Sequence, residues 1–338
     1  MARAPTRRRK VFFVGAGFSA IAHLPNTAAL LTDIHELART HVAWGVSKKL
    51  IARLDLAYDF FYPDNGPGFR PNVVDFFSIL SSYEQIDKGG LSGGFPDRPL
   101  LSDLRFAIAH VICDAMRRLT DTTFSASHPL LDDMVQPGNV VITTNWDTIV
   151  ELAAAARHVP YRLCGLADDS SLLILKLHGS IDWLLKKDAK KKPLTSYADL
   201  SERVGGRHSG RRSRAPGDIL RTPISKPGTM WQTIKSATNS PFMLTMSPAK
   251  GVGLSPLLGV WGNAYTCISA ANVLTIVGYS LPPDDIEIRT LLRAGVHRGP
   301  KPPQVDIRNP APDVHARIRT LIDRGANSDY ARIAPLTA

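Results

Sequence analysis

The chain reads as an α/β protein, a mostly parallel six-stranded sheet with a helical insertion after the first strand. Three observations predict it. Short apolar runs of strand length recur along the sequence, and helical spacing fills the gaps between the later ones. Between the first and second runs lie about 110 residues with helical spacing and little strand character.

The first run, Val11–Val14, is β-branched and aromatic and predicts a buried strand. Preceded by Arg7–Lys10 and followed by Ala20–Ala22, it imitates a secretory signal. Gly15, Gly17 and Ser19 interrupt the apolar stretch, however, and a strand–turn–helix loop accounts for all of them. Helices are then predicted over Thr27–Thr40, Lys48–Phe60, Val73–Gln85 and Leu100–Leu119, separated by the Gly- and Pro-rich stretches Pro63–Pro71 and Lys88–Pro99. The remaining strand candidates are Asn139–Thr143, Leu172–Leu177, Phe242–Met246, Val273–Val277 and Val305–Ile307. Helices are predicted over Asp147–Ala156, Pro256–Ala271, Asp284–Val296 and Pro312–Arg324. Lys186–Lys226 is basic and holds Gly, Ser and Pro, with a weak amphipathic patch at Tyr197–Val204, and reads as a partly mobile insert. There is no internal repeat. The predicted organisation is a basic tail (1–10), one domain (11–325) with a helical insertion at about 27–120 and a basic insert at about 184–226, and a C-terminal tail (326–338).

With 338 residues, 44% hydrophobic and 21% charged, the composition is that of a globular chain and not a disordered one. No apolar stretch approaches the ~20 residues of a membrane span. Cys113, Cys164 and Cys267 are far apart and odd in number, so they form neither a disulfide framework nor a paired zinc motif, as suits a reducing cytoplasm. The net charge of +11 is concentrated: residues 1–10 hold five basic and no acidic residues, and residues 184–215 hold ten basic and three acidic. The rest is near neutral. The basic segments read first as solubilising surface; a contact with nucleic acid or an acidic partner is the sharper alternative. Tyr197 is the only aromatic residue among them, so no base-stacking platform is evident.

Five strings lie at the ends of the apolar runs, and ligands of open α/β sheets bind at the carboxyl ends of strands. Gly15-Ala16-Gly17-Phe18-Ser19-Ala20 fits a tight phosphate-approaching turn, with Gly17 expected to bring backbone N–H groups to a pyrophosphate. A hydride-transfer fold would place a second strand and an acidic anchor about 20 residues on. Asp33 and Glu36 instead fall inside a helical pattern, which excludes that reading. Thr143-Thr144-Asn145-Trp146-Asp147 follows a buried run, where such polar groups are costly unless paired. Thr144 reads as a helix cap, whereas Asn145 and Asp147 together point to function. His178-Gly179 follows the next run. A lone histidine there is more often a satisfied core or capping residue, but Gly179 lets a ligand come close and the imidazole could act as a general base. Gly278 and Ser280 in Gly278–Asp285, and Asn309 before Pro310, fit ribose or phosphate contacts, or turns.

On these residues the chain resembles the sirtuins, and more closely their bacterial relatives that hydrolyse NAD in anti-phage defence. It has Gly15-Ala16-Gly17 with Ser19, Thr144-Asn145-Trp146-Asp147 without the glutamine usual there, His178-Gly179, Gly278-Tyr279-Ser280 and Asn309. Two departures matter. The four-cysteine zinc ribbon of the deacylases is missing, and His23-Leu24-Pro25-Asn26 stands where the glycine-rich loop would continue into I-P-D-F-R. The resemblance implies a Rossmann-like sheet, NAD as substrate and no metal. It implies that Gly15, Ala16, Gly17 and Ser19 cradle the pyrophosphate and that Asp147 recognises the carboxamide. It places Asn145 on the nicotinamide ribose with a water, His178 as base or anchor there, Thr144 beside the nucleotide, and Gly278, Ser280 and Asn309 on the adenosine side.

The expected activity is NAD hydrolysis to nicotinamide and ADP-ribose by a cytoplasmic defence effector that depletes NAD. The alternatives are a protein deacylase or ADP-ribosyltransferase, and a non-enzymatic nucleotide-binding assembly subunit. Such a hydrolase needs restraint, and no sensor domain is evident. The resemblance therefore implies a homo-oligomer and a separate regulatory chain, whether a HerA-type ATPase, an Argonaute-like protein or a phage component. The sequence does not choose among them. It implies no membrane contact.

Overall fold

The computed structural model describes residues 9–25, 27, 29–40, 48–66, 68–87, 100–117, 119, 124, 127–163, 165, 167–185, 219–221, 241–244, 257–283, 285–298, 301–323 and 331–333. The expected tail before residue 9, most of the basic insert, the patch Tyr197–Val204 and Cys164 lie outside them.

The strands, in chain order, are β1 (Lys10–Val14), β2 (Val140–Thr143), β3 (Tyr161–Arg162), β4 (Leu172–Lys176), β5 (Gly179–Leu185), β6 (Ile219–Arg221), β7 (Pro241–Met243), β8 (Val273–Val277), β9 (Gln304–Arg308) and β10 (Ala331–Ile333). The central sheet has the order β10-β9-β8-β1-β2-β4-β3, and each neighbouring pair is parallel. Six strands form its body, and the three-residue β10 extends one edge. Helices flank it, so the architecture is the expected α/β, Rossmann-like one. β1 lies at the centre, and Val11, Phe12, Phe13 and Val14 are all fully buried. Burial on both faces is why parallel strands read as continuous apolar runs.

Between β1 and β2 the chain forms α1 (Ala16–Ser19), α2 (Leu30–Thr40), α3 (Lys48–Phe61), α4 (Val73–Asp87), α5 (Leu100–Arg117) and α6 (Pro129–Met134). Four of these answer the four predicted helices, whose buried stripes include Leu31 and Ile34, Leu54, Phe76 and Phe77, and Leu104 and Ile108. The later helices are α7 (Ile149–Ala156), α8 (Leu258–Ser269), α9 (Ile286–Arg298) and α10 (Pro312–Ile322), each within two residues of its predicted start. Among the described residues no helix is long and apolar enough to cross a membrane.

One strand assignment is corrected. Phe242–Met246 was expected in the main sheet, but Pro241–Met243 pairs antiparallel with β5 in a second sheet of order β6-β5-β7. The turn at Gly179, with φ at +78°, leads the chain out of the parallel sheet into β5. A Cβ at Gly179 would sit 2.2 Å from the Phe242 carbonyl oxygen, so the second sheet closes directly on this glycine. A three-residue apolar run carries no information about its partner strand. The short edge strands β3 and β10 were not expected, nor were β5 and β6, the latter inside the segment expected as an insert.

Candidate functional site

Because the central strands run parallel, the loops after β1, β2, β4, β8 and β9 leave the same edge, and all five sequence strings gather there. The order reverses at β1: the chain proceeds from β1 toward β2 and from β8 toward β9, so the crevice between β1 and β8 is the switch point where such sheets bind ligands. A cavity of about 920 Å³ opens above it, within the range of small-molecule sites. Ala16, Gly17, Thr144, Gly278, Ser280 and Asn309 line it. The facing wall comes from the helical insertion and its flanks, through His23, Asn72, Asp75 and His128.

The floor of the crevice is two loops packed backbone to backbone. Gly15 N–H donates to the Val277 carbonyl (2.9 Å) and Gly17 N–H to the Gly278 carbonyl (2.8 Å). A Cβ at Gly15 would lie 2.6 Å from Tyr279 Cα, and one at Gly278, where φ is +59°, 2.4 Å from Phe18 N. The glycines are therefore required by the approach of the two loops. Gly17 is exposed on the cleft, while its own N–H is taken up by the Gly278 carbonyl.

Beside the cavity is a small recess of about 40 Å³, sharing Ala16, Thr27 and Thr144 with it and lined by Ser19, Asn145, Trp146 and Asp147. Asn145 Nδ2 donates to the Gly15 carbonyl (2.9 Å) and to Ser19 Oγ (2.9 Å), and Ser19 Oγ donates to Asp147 Oδ2 (2.5 Å). All three side chains are buried. The Gly15 carbonyl can only accept, which fixes the orientation of the Asn145 amide and turns Oδ1 away from it. Among the described residues neither Asn145 Oδ1 nor Thr144 Oγ1 has a hydrogen-bond partner, although both atoms are buried. Buried polar atoms are nearly always satisfied, and these two belong to residues that line the recess, with Thr144 bordering the larger cavity as well.

The loop that carries these groups is held at each residue. Asn145 N–H donates to Thr143 Oγ1 (3.0 Å), and Ser180 Oγ (3.2 Å) and Ile181 N–H (3.0 Å) donate to the Trp146 carbonyl. Trp146 Nε1 donates to the Leu244 carbonyl (3.1 Å). Asp147 Oδ1 accepts from Ile149 N–H (3.0 Å), so Asp147 caps α7 and Thr144 does not. Beneath the loop, Lys176 Nζ donates to the Asp147 carbonyl and pairs with Glu151 Oε1 at 3.1 Å.

His178 is placed differently. It is fully buried, lines neither cavity, and its ring lies 6.3 Å from that of Trp261. Its carbonyl accepts from Leu244 N–H (2.8 Å), so the second sheet covers it. Asn309 lies on the cleft, but its Oδ1 accepts from Ala311 N–H (2.9 Å) at the start of α10, and its Nδ2 lies 3.4 Å from the Tyr279 carbonyl. It therefore combines the cap and the cleft position. Ser280 is exposed on the rim.

His23, Asn72, Asp75 and His128 on the facing wall were missed by sequence reasoning. Asn72 accepts from Val74 N–H (2.8 Å) at the start of α4, and in sequence it reads only as that cap. His23 offered a signal, because it stands where the chain departs from the sirtuin loop pattern. The cysteines Cys113 and Cys267 are buried free thiols, and burial pushes both pKa values up. Compared with protein-family models and with curated proteins, the chain matches none of either.

Proposed function

We propose that the protein hydrolyses NAD to nicotinamide and ADP-ribose. The observation that carries this reading is the paired geometry of a nucleotide-sized cleft and an adjoining, mostly apolar recess that holds Ser19, Asn145 and Asp147, where Asn145 Oδ1 and Thr144 Oγ1 lack partners among the described residues. The likeness of the five strings to sirtuin motifs supports it.

In this reading the adenosine side of NAD lies along Gly278, Ser280 and Asn309, and the pyrophosphate crosses Ala16 and Gly17. The carboxamide enters the recess toward Asp147; at about 15 Å³ for each water-sized probe, the recess holds a group of that size. Asn145 Oδ1 accepts a hydrogen bond from the ribose or from the attacking water. The glycosidic bond between C1′ and the pyridinium nitrogen breaks, its electron pair neutralises the ring, and water adds at C1′ and loses a proton. The cationic ring is already a good leaving group. The protein has to orient the sugar, exclude bulk water and stabilise positive charge on the ribose, and the nearby Asp147 carboxylate serves the last purpose. Substrate contact falls to Asn145 and Asp147. His178, enclosed against Trp261, is proposed at the ribose only through the resemblance.

Depletion of NAD suits an effector of bacterial anti-phage defence that works in the cytoplasm, as an oligomer, under the control of a separate chain. The test is nicotinamide release from NAD by the purified protein, with and without neighbouring-gene products. Wild-type release that Asn145→Ala and Asp147→Asn abolish supports the reading. Binding of ADP-ribose without release in any condition replaces it with a nucleotide-binding subunit, and release that requires an acyl-lysine peptide replaces it with a deacylase. A folded His178→Ala variant that still releases nicotinamide leaves the chemistry with Asn145 and Asp147 alone.

A further inference from the structure

Lys176 and Glu151 form a fully enclosed ion pair, with side chains 0% and 3% exposed, on β4 and the first turn of α7. Burying such a pair is costly, and apolar residues of similar volume hold a fold equally well, so its presence asks for a reason other than stability. Its position supplies one. Lys176 is the register partner of Thr143 at the end of β2, immediately before the loop that holds Asn145 and Asp147. A flexible four-carbon stem carries its ammonium past the strand end to the Asp147 carbonyl, while Glu151 holds the charge from the helix that Asp147 caps. The backbone ties of this loop at Thr144, Asn145 and Trp146 are neutral hydrogen bonds, whereas the Asp147 carbonyl is held by a charge-assisted one; the Asp147 carboxylate is held separately, by Ser19 Oγ and Ile149 N–H.

We infer that Lys176 is a positioning residue: braced by Glu151, it fixes the Asp147 backbone and so sets the angle at which Asn145 and Asp147 meet at the recess. The inference rests on reading the recess as the nicotinamide side of the site. Removing the lysine alone strands a buried carboxylate, so the informative variant removes both charges, Lys176→Met with Glu151→Leu. The double variant is expected to fold with a melting temperature near the wild type and to bind ADP-ribose unchanged. Its kcat for nicotinamide release is expected to fall about 100-fold, the scale of a small misplacement of reacting groups. In hydrogen exchange, amides 144–149 should exchange faster while those of β1, β2, β8 and β9 keep their rates. That readout needs no turnover, so it tests the brace even if the wild type proves inactive on NAD. A folded double variant with wild-type kcat and wild-type exchange at 144–149 overturns the proposal. So does one in which all strands loosen equally, since that is the mark of a structural role alone.

Discussion

Asn145 is oriented by what it donates. Its amide nitrogen is shared between the Gly15 carbonyl and Ser19 Oγ, both on the turn and short helix after β1, far away in sequence, and this aims the amide oxygen. Ser19 passes the interaction to Asp147. Hydrogen bonds to charged groups contribute about 1.5–3 kcal/mol, so Ser19→Ala is expected to lower kcat/KM for nicotinamide release by roughly 10–100-fold. An unchanged value would detach Ser19 from the chemistry. Two glycines give a matched pair for stability. Gly278→Ala meets both a positive φ and the Phe18 backbone, and should destabilise by at least about 2 kcal/mol in urea titration. Gly262, inside α8 with open space around it, should gain about 0.5–1 kcal/mol on substitution by alanine. At this scale Asn145 and Asp147 were legible, because polar residues directly behind a buried run stand out. Lys176 was not singled out, because a single lysine ending an apolar run reads as a strand meeting solvent. Its burial depends on Glu151, which periodicity places on a helix but not against β4.

The helical insertion has its own polar centre. His35 on α2 is buried, with Nδ1 3.3 Å from Arg70 Nη2 and Nε2 3.9 Å from Asp55 on α3. Arg70 also stacks over the Tyr58 ring, 5.3 Å from its centroid. Burial, and then the Arg70 charge, hold the His35 pKa below its ordinary value of 6.5. The unfolded chain therefore binds a proton more readily than the folded one. The contribution of His35 to stability is complete above about pH 6.5 and is lost as the pH falls through that value toward the folded pKa. Melting temperatures between pH 7 and pH 5 should fall further for the wild type than for His35→Gln. Parallel curves for the two proteins would remove His35 from the acid response. The four large helices of this insertion were predicted within a few residues from spacing alone, since each presents one apolar stripe to a common core. Their service as the far wall of the cleft was not legible, because Asn72 and His128 sit at helix starts and read as termini.

Across the whole molecule the cleft joins parts that share little else. Loops after β1, β2, β8 and β9 form one side, and α4 and the start of α6 form the other. A ligand bound there ties the insertion to the sheet. ADP-ribose at 100 times its dissociation constant is expected to add about 2.7 kcal/mol of stability, read as a saturable rise in melting temperature. Asn309→Ala should need more ligand for the same rise. A melting temperature indifferent to ADP-ribose would remove the nucleotide from this cleft.

By itself the sequence determined the alternation of strands and helices, the long helical insertion and the gathering of five motifs at strand ends. Periodicity records which face of an element is buried, and parallel strands buried on both faces leave unbroken apolar runs. Only the tertiary structure decided what each face is buried against. It sent Pro241–Met243 to a second sheet, enclosed His178 behind Trp261 and gave the Gly17 N–H to Gly278. It also brought Ser19 to Asp147 across 128 positions of sequence, and Lys176 to Glu151. Such contacts follow from strand order and loop closure, which a local pattern does not encode.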